Sequence, residues 1–252
     1  MKFRVAMPLL ALTSAIFALP AAWSEEGHHE WDYGAKHGPG HWGKIKPEFA
    51  SCGIGKVQSP IDIRKPVHAK LDPIKFDYHP TPLHIIDNGH TIQVNYGTGI
   101  SISIGDQRYQ LVQFHFHKPS EERIAGKSYP MVAHLVHKNA AGALAVVAVL
   151  LKEGGANPMV QTLWTNLPTG KEKEKVEQKV AIDAAQLLPE NRAYYTFSGS
   201  LTTPPCSEGV TWFVLVHPSE LSRTQIARFG KIYNANARPV QPLHGRTVKV
   251  SE

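Results

Sequence analysis

The sequence predicts a mainly β fold with a few short peripheral helices, an α+β domain built around one large, twisted and mostly antiparallel sheet. Three observations lead there. β-rich runs follow one another along the chain, split by Gly, Asn or Pro signals. Helical periodicity is confined to a few short stretches. No Gly/Ser linker, internal repeat or break in composition divides the 252 residues, so a single domain is expected.

In chain order, residues 31–49 are crowded with Gly, Pro and aromatic side chains and read as an irregular N-terminal arm whose tryptophans pack onto a core. Strands follow at 83–86, 91–96, 100–104, 109–117, 131–137, 143–151, 193–197 and 210–217, rich in residues that suit a pleated surface. The 143–151 run is apolar on both faces, which places it centrally in the sheet. Helical patterns mark 157–166, 171–179, 181–187 and 219–228, the last with Ser219 before Glu220 as its candidate start.

Two of these strands carry the chemistry. Side chains alternate faces along a strand, so Gln113, His115 and His117 share one face while Phe114 and Phe116 share the other. The two imidazoles then point together, roughly 7 Å apart at the backbone. A turn-rich stretch leads from Lys118 to Pro130, and a second strand folding back alongside brings His134 to the pair. Three imidazoles suit Zn²⁺ and leave a fourth position for water, the catalytic rather than the structural arrangement. The chain holds 14 histidines, so spacing matters more than number. His137, three residues beyond His134, falls on the opposite face with Ala133 and Leu135 and reads as structural, whereas Val136 shares the face of His134 and must flank the site.

At the N-terminus, Lys2 and Arg4 precede an apolar stretch from Val5 to Trp23, and small residues occupy the cleavage-specifying positions Ala22 and Ser24. Residues 1–24 read as a secretory signal peptide cut before Glu25, leaving 25–252 as the folded domain. An uncleaved anchor is the alternative, weakened by Pro8, Pro20 and the polar Thr13 and Ser14. No later run is apolar for long enough to span a bilayer. Export makes oxidised thiols the expectation, and Cys52–Cys206 is the one intramolecular pairing available, with two free buried thiols as the alternative. Closing a loop of that size stabilises a fold by about 5 kcal/mol in the chain-entropy model. The net charge of +6 falls to +4 once Lys2 and Arg4 are removed. The densest basic run, residues 171–179, alternates in sign and reads as a solvated helix face, which argues against a nucleic-acid surface.

Outward from the histidines, several blocks stand in a specific order: Gln58-Ser-Pro-Ile-Asp-Ile63, Asn88-Gly-His90, Gln113-Phe-His-Phe-His117, Ser120-Glu121, His134-Leu-Val-His137, Gly199-Ser-Leu-Thr-Thr-Pro-Pro205, Val210-Thr-Trp212 and Arg238-Pro-Val-Gln-Pro242. In these blocks the chain resembles the α-class carbonic anhydrases along essentially its whole length after the signal segment. With one cysteine before Gln58 and another after Pro205, it is similar to the exported bacterial members, which points to the periplasm, with release outside the cell left open. The resemblance implies a ten-stranded twisted sheet with the metal in a conical cleft, a Cys52–Cys206 disulfide, and cis peptide bonds at Ser59–Pro60 and Pro204–Pro205.

It also implies reversible hydration of CO₂ to bicarbonate and a proton, with Zn²⁺ on His115, His117 and His134. Thr202 would hydrogen-bond the activated water and donate onward to a buried Glu121, and Thr203 would contact bicarbonate. Val136, Val146, Leu201, Val210 and Trp212 would form the apolar wall for CO₂. His90 matches the proton shuttle, and Tyr33, Asn88 and Gln93 match the residues that order its waters, Gln93 being longer than the asparagine often found there. Without the resemblance, Thr202 reads as a loop residue before two prolines, Glu121 as surface charge, and most of the wall as ordinary core.

Metal-bound histidines usually donate their second N–H to an oxygen, and losing that acceptor costs about 10–100-fold in metal affinity or activity. Gln113 serves His115 by parity and by resemblance, and the backbone oxygen of Asn236 matches the acceptor for His117. For His134 the family commonly places a glutamate two residues earlier, where this chain has Val132. Valine cannot accept, so His134 must use water, a carbonyl or another side chain, or leave its N–H unsatisfied at about 1–3 kcal/mol. A weaker zinc site with faster metal exchange and retained catalysis is the resulting expectation.

Two rivals to a carbonic anhydrase stand beside it. A cupin-type metalloenzyme would use the His115-Phe-His117-x-x-x-Glu121 spacing with Glu121 as a ligand to iron or manganese, but the cupin's glycine spacing and second histidine motif are missing. A catalytically silent binding module of the same family normally lacks a ligand, whereas the three histidines, Thr202 and Glu121 all stand here. CO₂ and bicarbonate are then the small-molecule partners, and the oligomeric state is open between monomer and homodimer.

Overall fold

The strand-forming runs assemble into one thirteen-stranded mixed sheet in a computed structural model of the protein, which describes residues 30–251. Residues 1–24, which the sequence reads as a signal peptide, lie outside the described residues. Ten of the strands form a continuous path. From one edge it runs Lys175–Ile182, Thr81–Asp87, Ile92–Asn95, Gln107–His117, Met131–Lys138, Leu144–Glu153, Glu208–Leu215, Tyr194–Ser200, Lys249–Ser251 and Val67–Ala69. Most neighbours are antiparallel. The parallel exceptions are Leu144–Glu153 with Glu208–Leu215 and with Ser219–Leu221, and Lys249–Ser251 with Val67–Ala69.

The doubly apolar Leu144–Glu153 strand is central, flanked antiparallel by the His134 strand and parallel by Glu208–Leu215. Each face of the sheet has its own apolar layer. One gathers Phe114, Phe116, Ala133, Leu135, Val147 and Val149 with the helices Pro158–Thr165 and Arg223–Ile232. The other gathers Val132, Val146, Ala148, Val210, Trp212 and Val214, with Val136 and Leu201 packed against it. Period-two alternation therefore sends the odd-numbered His115 and His117 to the second face, and His134 joins them there.

Three helical expectations need correction. Residues 171–179 do not form a helix; the chain there becomes the edge strand Lys175–Ile182, paired with Thr81–Asp87 across a register shift between Glu177 and Ala181. Charged side chains on an exposed edge strand are a common guard against pairing with another chain. At 181–187 the strand runs to Ile182, and only Ala184–Leu187 forms a short 3₁₀ turn, with Asp183 Oδ1 accepting from the Ala185 N–H. The 219–228 pattern begins as a strand, Ser219–Leu221, and the helix Arg223–Ile232 starts only after Ser222. Ser222 and Gln225 form a reciprocal capping box there, a feature Ser219 lacks. The 157–166 helix is observed as Pro158–Thr165, with Asn157 capping Val160.

The N-terminal arm closes over the site's rim. Trp42 is fully buried with Phe49 and the disulfide, and its indole donates to the Asp32 carbonyl at 3.0 Å. Cys52 and Cys206 are joined, with S–S 2.08 Å. Buried Arg238 binds three parts of the chain together, donating to Gln58 Oε1 (2.9 Å), the Ser59 carbonyl (2.7 Å) and the Cys52 carbonyl (2.9 Å). Cis peptide bonds occur at Ser59–Pro60 and Pro204–Pro205, and also at Lys118–Pro119, which the sequence did not signal. Among the described residues no helix is long and apolar enough to cross a membrane.

Candidate metal centre

His115 faces His134 directly across the paired strands, and each of His115, His117 and His134 offers one ring nitrogen, all within 4.8 Å of one another. Outer hydrogen bonds decide which nitrogen each ring offers. His115 Nδ1 donates to Gln113 Oε1 at 2.8 Å, and His117 Nδ1 donates to the Asn236 carbonyl at 2.7 Å, so both present Nε2. His134 is engaged at Nε2 and presents Nδ1. The lone pairs converge, and buried His117 Nε2 has no hydrogen-bond partner among the described residues. Such an orphaned acceptor set fits a metal ion and is costly for anything else.

Electrostatics keep these ligands ready. Burial, then the neighbouring His134, lowers His115 to about 3, and the same two causes hold His117 well below the ordinary value. Both rings are therefore neutral at physiological pH. Burial also pushes His134 down, but the Glu122 charge and hydrogen bond, with Glu121, outweigh it and the net shift is upward. Glu121 is raised to about 7, by burial first, with Glu122 adding to the rise while His134, a Thr202 hydrogen bond and the Arg238 N–H oppose it. Its Oε1 accepts that backbone N–H at 2.7 Å, and its Oε2 stands 3.6 Å from His117 Nε2 and 3.7 Å from His134 Nδ1.

Glu122 is the residue the sequence reading missed. Fully buried, it sets Oε2 3.2 Å from His134 Nε2 as acceptor and Oε1 at 3.1 Å. Val132 is buried in the apolar layer and accepts nothing. The expected weakness at His134 thus loses its premise: another side chain supplies the acceptor. The one available signal was the acidic pair Glu121-Glu122, of which only the first was assigned a role.

Above the triad, a cleft of about 110 Å³ is lined by Tyr33, Asn88, His90, Gln93, Gln113, His115, His117 and Thr203, together with Trp31 and Thr91. The His90 ring stacks on Trp31 at 3.6 Å between centroids and 5° between planes. Asn88 Oδ1 accepts from the His90 and Thr91 N–H groups, and Asn88 Nδ2 donates to Gln93 Oε1 at 3.1 Å. Gln93 Nε2 reaches Asn95, which in turn donates to Glu174, so the longer glutamine spans from the cleft to the protein surface. Burial, then the Glu121 charge, raises the Tyr33 phenol well above 10, so it stays protonated.

On the apolar side, Val136, Val146, Leu201, Val210 and Trp212 belong to one cluster. Val136 opposes Val146 in register, and Val146 opposes Trp212. The Trp212 ring meets His134 edge-on at 5.0 Å. Thr202 is buried beside Glu121. The Thr203 carbonyl accepts the Cys206 N–H at 2.8 Å, which ties this loop to the disulfide.

Three imidazoles whose ring nitrogens converge beside an open cleft, backed by a buried carboxylate, define a mononuclear metalloenzyme centre with space for water. Its kind follows from comparison with known proteins. The model of the eukaryotic-type carbonic anhydrases matches residues 37–252, and the chain belongs to that family. A carbonic anhydrase of Pectobacterium carotovorum is 48% identical over 220 residues, covering 86% of this chain and 89% of the relative. A hyperthermostable carbonic anhydrase from a hydrothermal vent chimney superposes with a TM-score of 0.85 at 47% identity, over 88% of this chain and 100% of that one. The enzyme of Thermovibrio ammonificans, solved with the inhibitor sulfanilamide, gives 0.83 at 44% identity, over 88% and 98%.

Proposed function

We propose that the chain catalyses the reversible hydration of CO₂ to bicarbonate and a proton, with Zn²⁺ held by His115 Nε2, His117 Nε2 and His134 Nδ1. The carrying observation is that the outer hydrogen bonds leave these three nitrogens, and no others on the rings, free and convergent. Zinc there supplies a Lewis acid that brings the pKa of a bound water to about 7, the value general to carbonic anhydrases, and a positive charge that favours the Glu121 carboxylate over its acid.

The chain's own groups do the rest. A carboxylate only accepts, so the Thr202 hydroxyl must donate to Glu121 and turn its lone pairs to the attacking oxygen, fixing that oxygen's direction. The wall from Val136 to Trp212 offers CO₂ a dry surface next to the triad, and Thr203 at the cleft rim receives the product. Proton exit needs a group that titrates near neutral pH within reach of ordered water. His90 lines the same cleft as His115 and His117, and Tyr33, Asn88 and Gln93 line it with them as polar partners.

The disulfide supports an exported enzyme, with residues 1–24 as signal and 25–252 as the catalytic domain, working in the periplasm. Metal analysis of the exported protein with a CO₂ hydration assay tests the proposal. One zinc per chain, activity lost to a chelator and restored by zinc, and inhibition by a sulfonamide are expected. Zinc-loaded protein without CO₂ hydration would mark a silent binding module, and stoichiometric iron or manganese a different enzyme class.

A further inference from the structure

We propose that Glu122 is the positioning residue of the third metal ligand: a loop-borne carboxylate fixes His134 in the orientation that presents Nδ1, and thereby sets how slowly the centre releases its metal. This rests on the reading of the triad as a zinc site. His134 cannot draw its support from its own strand. Position 132, two residues earlier on the same face, is a fully buried valine opposite His117 and Leu150 in register, surrounded by apolar side chains.

Glu122 reaches His134 from a different element. Its segment is held on both sides: the Ser120 N–H donates to the Tyr129 carbonyl at 2.9 Å, Ser120 Oγ donates to the Glu122 carbonyl at 2.8 Å, and the Arg123 N–H donates to the Ile61 carbonyl at 3.2 Å. Arg123–Ile124 then pairs with Asp62–Ile63 in a two-stranded parallel sheet. The loop is therefore braced, and the carboxylate it delivers has no exposure to water. A buried carboxylate needs a donor, and among the described residues the imidazole of His134 is the one its side chain meets.

The three ligands thus differ in kind. His115 leans on an amide oxygen and His117 on a backbone carbonyl, both neutral, while His134 alone leans on an acid. Charge-assisted hydrogen bonds are roughly twice as strong as neutral ones, and a carboxylate partner fixes the tautomer and raises the ligand's basicity. Glu122 therefore makes His134 the most firmly held ligand, and metal release is governed by that contact.

Chelator-driven zinc loss from the purified holoprotein tests this, read as a rate with far-UV circular dichroism as the check on folding. Glu122→Ala should accelerate loss about 10–100-fold, and the isosteric Glu122→Gln, which keeps an acceptor oxygen but no charge, by a smaller factor. Val132→Glu added to Glu122→Ala restores a carboxylate on the face of His134 and should return the rate most of the way to wild type, a rescue that a purely structural role for Glu122 would not give. Wild-type loss rates in both single variants, or no rescue in the double variant, would overturn the proposal. Absence of zinc from the wild-type protein would instead overturn the reading of the triad.

Discussion

Glu121→Gln separates orientation from metal binding. The carboxylate meets two donors, the Arg238 N–H at 2.7 Å and the Thr202 hydroxyl. A glutamine of the same shape has one acceptor oxygen and an NH₂ group. Turning the NH₂ toward the Arg238 N–H would strand two buried donors against each other, at about 1–3 kcal/mol, so the oxygen stays on Arg238. The NH₂ then faces Thr202, whose hydroxyl must accept from it and point its proton into the cleft. Losing one preorganised hydrogen-bonding group of this kind costs about 10²–10³-fold in turnover. Stability should move the other way. Burial raises Glu121 to about 7 from 4.5, so the stability of the neutral form is complete below 4.5 and is lost as the pH rises through 7. The zinc-free glutamine variant escapes that loss and should be at least as stable as zinc-free wild type at pH 8. Stopped-flow CO₂ hydration, zinc content and urea unfolding read the three quantities. Turnover within threefold of wild type at full zinc occupancy would refute the Thr202–Glu121 reasoning.

Other outcomes follow from the same geometry. His90→Ala should lower kcat about tenfold or more in dilute buffer while leaving kcat/KM near wild type, and added imidazole should restore it; an unchanged kcat in low-buffer stopped flow would move the proton route elsewhere. Cys52→Ser with Cys206→Ser opens a loop of sequence separation 154 and should cost about 5 kcal/mol of unfolding free energy in the chain-entropy model, checked by urea denaturation under oxidising conditions. His137 is held down to about 3, chiefly by burial, on the face away from the triad. Its folded value lies below the unfolded 6.5, so stability is complete above 6.5 and is lost as the pH falls toward 3, at about 1.4 kcal/mol per unit. His137→Gln should therefore lose about 2–3 kcal/mol less than wild type between pH 6.5 and 4.5; parallel pH profiles would contradict this.

The parts of the site that lie on strands were legible because strand parity is local. The spacing of Gln113, His115 and His117 puts all three on one face, and the same rule separates His134 and Val136 from His137. The apolar 143–151 run announced its central place for the same reason. What the sequence hid depends on the fold closing. Glu122 comes to His134 from a braced loop, a contact that no spacing within the His134 strand encodes. Arg238 draws its meaning from Gln58, Ser59 and Cys52, distant in sequence. At 171–179, the alternating Lys and Glu charges read as a solvated helix face, but pairing with Thr81–Asp87 makes the chain there a strand. Ser219 gave way to Ser222 because only the latter has Gln225 three residues on to complete the box.

The most direct test is a crystal structure of the purified protein with anomalous data at the zinc edge. One zinc per chain is expected, about 2.0–2.1 Å from His115 Nε2, His117 Nε2 and His134 Nδ1, with water as the fourth ligand and Glu121 outside the coordination sphere. No metal at the triad, or Glu121 bound directly to it, would contradict the assignment.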